Sequence, residues 1–270
     1  LTNSEGNHGE DVKEYYFYLD STPTHSYMKY MYKYPQAEFP YARLVEENRG
    51  RSKELPEFEL VDTGVFDESR YFDVVVEYAK AEADDLLIRI HVSNRGPQAA
   101  PIEVLPTLWF RNTWSWGRDD RRPSIAARPS PNEGVKVMAA THHDLGELAL
   151  YCSGADELLF TENETNAGRL YGAPSRTPYV KDAFHACVVN GQREAVNPAL
   201  TGTKAAARYA RTVGAGETIT LELRLASVRD GKPLDAPFAG SDAVFTQRKA
   251  EADEFYDVVL PPKLSPDARR

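Results

Sequence analysis

The chain is short of several things, and each shortage excludes a class of protein. It has two cysteines in 270 residues, Cys152 and Cys187. That is too few for a disulfide framework, and both sit in apolar, strand-like patterns, so they read as buried thiols. No apolar run approaches the roughly 20 residues that span a bilayer. No signal peptide is visible, and a cytoplasmic location is the expectation. Basic residues are outnumbered: 32 Lys and Arg against 41 Asp and Glu leave a formal net charge of −9. An acidic chain offers no attractive field to polyanions, which argues against nucleic acid and against anionic membranes as partners. Gly-x-Ser-x-Gly and His-Glu-x-x-His are both missing, so hydrolases of those kinds are excluded. Thr201-Gly202-Thr203-Lys204 looks like the end of a phosphate loop. It lacks the earlier glycine and the strand–loop–helix frame, so nucleotide binding is rejected and no cofactor is expected. No internal repeat of fixed period appears.

What is there begins with tyrosine. Residues 15, 16, 18, 27, 30, 32, 34 and 41 are all Tyr. Tyr15–Leu19 reads as a short strand. Tyr27, Tyr30, Met31 and Tyr34 fall at helical spacing and stop at Pro35. Pro40 suits the first position of a second short helix. This segment, 1–57, reads as a tyrosine-bearing surface: either plain cover for apolar area or a face that docks a ligand or partner.

From about residue 58 the pattern becomes strands. Phe58–Val61 is one; Phe72, Val74, Val76 and Tyr78 alternate with Asp73, Val75 and Glu77 in the next. Ile88, Ile90 and Val92 alternate with Arg89 and His91, the period of a strand with one buried face. Asn94-Arg95-Gly96-Pro97 supplies turn chemistry. The following strand runs toward Trp109, Trp114 and Trp116. A polar loop is expected over 118–132. Short strands follow at Val135–Ala140, Leu148–Cys152, Leu158–Thr161, Phe184–Val189 and Arg208–Val213, and Ile219 to Leu225 alternates again. Repeated short strands with turn signals between them imply a mainly β fold, a large antiparallel β-sandwich over 1–236. Ser241 or Asp242 can cap a helix over roughly 243–258, and Pro261-Pro262 ends it. Residues 237–270 thus read as a linker helix and Pro-rich tail. A chain that opens on Leu1 and trails off this way is expected to be a domain cut from something longer.

Three places could carry chemistry. Asn7-His8-Gly9-Glu10-Asp11 puts an imidazole beside two carboxylates, and Tyr15 follows closely. Acid–base work needs such groups within hydrogen-bond reach of a substrate, which adjacency in sequence does not guarantee. His142-His143-Asp144 with Glu147 matches no closed zinc spacing and reads as a polar turn, so no metal is assigned. In Trp109–Asp119, Trp114 and Trp116 lie two apart and would share a face in an extended segment, with Arg118 beside them. Flat apolar rings next to hydrogen-bond donors suit a sugar platform or a domain interface, and core packing suits them as well. His8, Glu10, Asp11, Tyr15, Trp114, Trp116 and Arg118 are therefore the sugar-binding or interface candidates.

Residues 1–27, Leu105-Pro106-Thr107-Leu108-Trp109-Phe110-Arg111-Asn112-Thr113-Trp114-Ser115-Trp116 and Gly202-Thr203-Lys204-Ala205-Ala206 resemble bacterial members of glycoside hydrolase family 63, relatives of the mannosyl-oligosaccharide glucosidases. The resemblance implies a supersandwich of the galactose-mutarotase kind, placed before an (α/α)₆ barrel. It implies an oligosaccharide or glycoside ligand and hydrolysis with inversion. The general acid and base, an Asp and a Glu, would lie on the barrel beyond this chain, so no catalytic residue carries over and the chain alone is expected to be inactive. Two other expectations stand beside it: a free-standing carbohydrate-binding module using Trp114, Trp116 and the tyrosines, and a mutarotase-like enzyme pairing His8 with Glu10 or His142 with Glu147.

Overall fold

The computed structural model describes residues 15–115, 117, 119–130, 132–228, 233–265 and 267–268. Its architecture follows from the alternating strands. In β3 (Tyr71–Glu82), β4 (Asp85–Asn94) and β13 (Thr218–Ser227) every second side chain is large and apolar. Their register keeps these side chains on one face: Val76 is opposite Ile90, and Ile90 opposite Leu221. A one-residue slip would turn every one of them outward, so the buried face holds the register.

These strands are the middle of a nine-stranded antiparallel sheet. On one side of them lie β2 (Tyr27–Pro35) and the edge strand β1 (Tyr16–Ser21). On the other lie β9 (Gly146–Ser153), β8 (Val135–His142), β7 (Ser124–Arg128) and β11 (Thr201–Gly202). A four-stranded sheet packs over it, made of β5 (Ala100–Val104), β6 (Thr107–Trp109), β10 (Glu157–Thr161) and β12 (Lys204–Val213). The core between the sheets joins Phe72, Ile90, Val92, Met138, Leu150, Cys152 and Leu223 to Ile102, Phe160, Ala205, Ala207 and Tyr209. The expected mainly β sandwich is the observed fold. Cys152 and Cys187 are both free and buried, as expected.

Helices cover the outside. The amphipathic spacing of Phe245 and Ala252 in α4 (Ser241–Val259) buries them against Tyr27, Ala79 and Leu87 on the outer face of β2–β4. The helix expected over 243–258 is present, and it lies on the sandwich. Leu44 of α1 (Tyr41–Gly50) makes a small satellite core with Phe58 and Leu60. Five residues, Ala167–Tyr171, form α2, and Ala183–Val189 form α3, which packs on Leu159 and Ala206 outside the small sheet.

Several local expectations are corrected. Residues 27–35 are a strand. Met28, Tyr30, Tyr32 and Tyr34 carry a period of two on one face, and Tyr27 and Met31 on the other mimic helical spacing. Residues 184–189 are helical: Ala183, Phe184 and Cys187 recur at three-to-four spacing, a pattern that a short apolar run hides. Phe58–Val61 is not a strand; Leu60–Thr63 form a 3-10 turn, with Asp62 Oδ2 accepting from the Glu59 N–H at 2.8 Å. The polar loop 118–132 contains β7, whose Ile125 is fully buried. Trp109 continues an apolar strand and so reads as a core residue, but it is 55% exposed, because alternation turns Leu108 toward the core and Trp109 away.

Candidate functional site

Several chain segments meet at one rim of the sandwich, around Trp114. The loop after β6 carries Phe110, Asn112 and Trp114. The segment after β10 carries Glu162, Asn163 and Glu164. Thr203 lies between β11 and β12, and His142 ends β8. Asn163 ties three of these together. Its amide donates to the Phe110 carbonyl at 2.9 Å, its backbone N–H to Thr203 Oγ1 at 2.8 Å, and its carbonyl accepts from Asn112 Nδ2 at 3.0 Å. Gly202 makes this approach possible. A Cβ there would stand 2.2 Å from the Thr161 carbonyl oxygen, so any side chain would push the strands apart. That close approach accounts for the glycine of Thr201-Gly202-Thr203-Lys204 without a phosphate.

The rim carboxylates are held by neighbours. Trp114 is 7% exposed, and its indole N–H donates to Glu164 Oε1 at 2.8 Å. Thr203 Oγ1 donates to Glu162 Oε2 at 2.7 Å, and Arg122 reaches the same oxygen at 2.6 Å. Asp119 accepts from Arg121 at 2.9 and 3.0 Å. These bonds from Arg121 are the main cause holding the Asp119 carboxyl down at about 2.

Beside them His142 stacks between Phe110, at 5.0 Å, and His143, at 4.1 Å. His142 Nδ1 accepts the Asp144 backbone N–H at 3.1 Å, which leaves the ring proton on Nε2. His143 Nε2 lies 3.0 Å from Asp144 and 3.6 Å from Asp119. Ligand atoms of His142, His143 and Asp144 all fall within 4.8 Å of one another, so among the described residues these three could hold a metal ion. Two features oppose a cation there: His142 Nδ1 is already bonded, and the Arg121 guanidinium lies 3.6 Å from Asp144.

Of the sequence candidates, the structure places Trp114 in the core at this rim and Tyr15 at the far end. Tyr15 stacks on Phe66 at 5.7 Å and donates to Glu59 at 3.2 Å. They do not form one site. His8, Glu10, Asp11, Trp116 and Arg118 lie outside the described residues. Trp114 offers no open ring face, and its role here is core packing. His142 and Glu147 do not pair: Thr141 is opposite Glu147 in register, so His142, the next residue, points to the other face of that hairpin. Sequence reasoning missed Glu162, Asn163, Glu164, Thr203 and Arg122. The one available signal was Glu-Asn-Glu directly after an apolar strand.

A cleft of about 710 Å³ lies elsewhere, between β7–β8 and β10, with Glu157 and Arg193 in its wall. Hydrogen bonds from Arg193, and then Arg208, outweigh burial and hold the Glu157 carboxyl down at about 2. Arg208 ties β12 to β10 through Glu157, and Arg193 holds the same carboxylate from the 3-10 turn that follows α3.

No family model matches this chain. It is 35% identical to an uncharacterized protein of Saccharomyces cerevisiae, YMR196W, over 313 aligned residues. The match spans all of this chain but 28% of that protein. Among solved structures, it resembles a galactose mutarotase related enzyme from Lactobacillus acidophilus with a TM-score of 0.34 and 6% identity, covering 79% of this chain and 71% of that one. It also resembles a polysaccharide lyase with a TM-score of 0.33 and 11% identity, covering 59% and 20% of the two chains. Scores this low carry no functional argument.

Proposed function

We propose that this chain is the non-catalytic β-sandwich domain of a carbohydrate-active protein, an inverting α-glucosidase-like glycoside hydrolase, and that it braces a helical catalytic barrel. The observation that carries the reading is the state of the rim carboxylates. Glu164, Glu162 and Asp119 are each engaged by Trp114, by Thr203 and Arg122, and by Arg121. An inverting glycosidase needs two carboxyls about 6.5–9.5 Å apart with room for water between them. Side chains committed to their neighbours suit a scaffold better than that chemistry. The three segments that resemble family 63 and the 28% coverage of a much longer relative support the same reading.

The second reading is a free-standing carbohydrate-binding module. The exposed tyrosine rings of β1 favour it; the burial of Trp114 opposes it. One set of measurements separates the two. The 270-residue chain is incubated with aryl α-glucosides and α-linked glucose disaccharides, and the same sugars are titrated calorimetrically. The expected result is no turnover above buffer and no heat of binding. Enzyme-like turnover by this chain overturns the reading, and saturable heat without turnover replaces it with the binding module.

A further inference from the structure

The nine-stranded sheet is wider than the sheet that covers it. Beyond the core, the inner face of β1 and β2 carries Tyr16, Tyr18, Tyr30, Tyr32 and Tyr34, with Met28 in the same row. Tyr78 on β3 and Tyr41 on α1 border it. Tyr16 and Tyr18 pack edge to face at 5.8 Å, and Tyr32 and Tyr34 lie 6.1 Å apart. Tyr30 and Tyr32 are half-buried, and desolvation pushes each hydroxyl up to about 12, with Tyr18, Tyr78, Tyr34 and Tyr41 as neighbours. Above them, Tyr16, Tyr18, Tyr34 and Tyr41 stand 51%, 81%, 45% and 37% exposed.

The chemistry of this face narrows what can cover it. From Tyr16 to Ser21, from Met28 to Tyr34 and from Phe72 to Tyr78, the inward positions hold Tyr, Met, Phe and Val, with Ser21 opposite Met28 the one small polar side chain. No carboxylate, amide or guanidinium is among them. Sugar sites combine ring faces with such polar groups. Protein interfaces are enriched in Tyr and Met and depleted of charge at their centre. The four exposed rings together offer on the order of 400 Å², about half of one partner's share of a standard interface near 800 Å². The geometry also disfavours a second copy adding as a strand. The register of β1 against β2 shifts between Tyr18 and Asp20, a bulge at the free edge of the kind that blocks edge-to-edge pairing.

We infer that this tyrosine face is the seat of the rest of a longer polypeptide, a folded partner in the same chain that presents an apolar, weakly charged surface. This rests on the reading of the chain as a bracing domain. It also rests on length: the yeast relative extends far beyond the 28% that this chain matches. Of the two candidate contact regions that the sequence offered, the tyrosine segment and the Trp-rich loop, it favours the first, because Trp114 of the loop is buried.

The test is tyrosine nitration by tetranitromethane, read residue by residue by peptide mass spectrometry, on the natural full-length protein with its open reading frame complete. Each rate is compared with that in the urea-unfolded protein. Tyr16, Tyr18 and Tyr34 are expected to react at least 10-fold more slowly when native, at every protein concentration, whereas Tyr171, 74% exposed on α2, stays within about 3-fold. In the full-length Y16R/Y18R protein, Tyr34 is expected to approach the unfolded rate. Native rates for Tyr16 and Tyr18 equal to the unfolded rates overturn the inference. So does protection that fades on dilution, which identifies a second copy, or a reading frame that adds no further domain. Nitration does not depend on catalysis, so a full-length protein that cleaves no glycoside removes the functional reading while this result stands or falls alone.

Discussion

The two halves of the large sheet use the same alternation and end in different states. In the covered half, Val76, Ile90, Leu221 and Leu223 are sealed between the sheets, with Val92 and Cys152 at no exposure at all. In the overhanging half, the same face of β1 and β2 carries tyrosines that are half-buried or open. Period two says which face turns inward and says nothing about whether a second layer arrives to cover it. Residue type carries that information. Branched aliphatics sit where this chain supplies its own cover. Tyrosines sit where the described residues supply no second layer, because a ring with a polar tip tolerates water.

The largest expected difference between the halves is at Phe160, fully buried on β10 between the sheets. Phe160→Ala removes a ring from a filled core and leaves a cavity, at a cost of about 3–5 kcal/mol. Urea denaturation of the 270-residue chain would show a lower midpoint with an unchanged slope. A loss below about 1 kcal/mol would mean that the small sheet does not seal the core in solution.

The outer face gives an intermediate case. Glu77 of β3 is 3% exposed beneath α4. It accepts from Tyr27 at 2.6 Å, lies 3.0 Å from His91 Nε2, and pairs with Lys249 of α4 at 2.6 Å. Burial alone would raise its pKa, but the hydrogen bonds from His91, Lys249 and Tyr27 outweigh it and hold the carboxyl well below the usual range. A depressed folded pKa contributes stability that is complete above the unfolded value of about 4.3 and disappears as the pH falls through the folded one. Glu77→Gln is therefore expected to cost about 1–3 kcal/mol at pH 7, with the gap to the native chain narrowing below about pH 5. Amides of α4 should exchange faster in the variant. Stability curves that stay parallel from pH 7 to pH 3 would show that Glu77 does not hold the helix through its charge.

How much of this was legible in the sequence depends on where each signal was written. Strands with one sealed face, such as 72–78, 88–92 and 219–225, announced themselves through alternation. Runs apolar or aromatic on both faces were less dependable: 148–152 and 158–161 read as strands and are strands, 184–189 read as a strand and is a helix, and 27–35 imitated a helix. The helix expected over 243–258 was readable from Pro261, which ends it; the expected cap at Ser241 or Asp242 is not made, since Gly240 precedes the helix and Ser241 Oγ donates to the Phe238 carbonyl instead. The rim was half legible. Trp114 stood out as a large ring, but its burial depends on Glu164, 50 residues away, which accepts its indole proton. Hydrogen bonds of that span leave no local pattern. The Glu77 node is similar: Tyr27, His91 and Lys249 come from three elements, and only the register of β2, β3 and β4 together with the docking of α4 brings them to one carboxylate.

The smallest expected effect is at Tyr18, and there a near-zero result is the informative one. Its ring is 81% exposed, so this chain gives it few contacts beyond the edge of Tyr16. Tyr18→Ser in the 270-residue chain is expected to shift stability by less than about 0.5 kcal/mol, the range of surface substitutions without a special role. Its midpoint in urea should overlay that of the native chain, while the Phe160→Ala curve moves far to lower urea. A loss of 2 kcal/mol or more at Tyr18 would mean that the ring is covered within the isolated chain, by a segment of its own or by a second copy. The overhang would then be an ordinary part of the core, and the contrast between the two halves of the sheet would disappear. A near-zero effect keeps the contrast. The aromatic surface at Tyr18 then contributes nothing to folding of this chain.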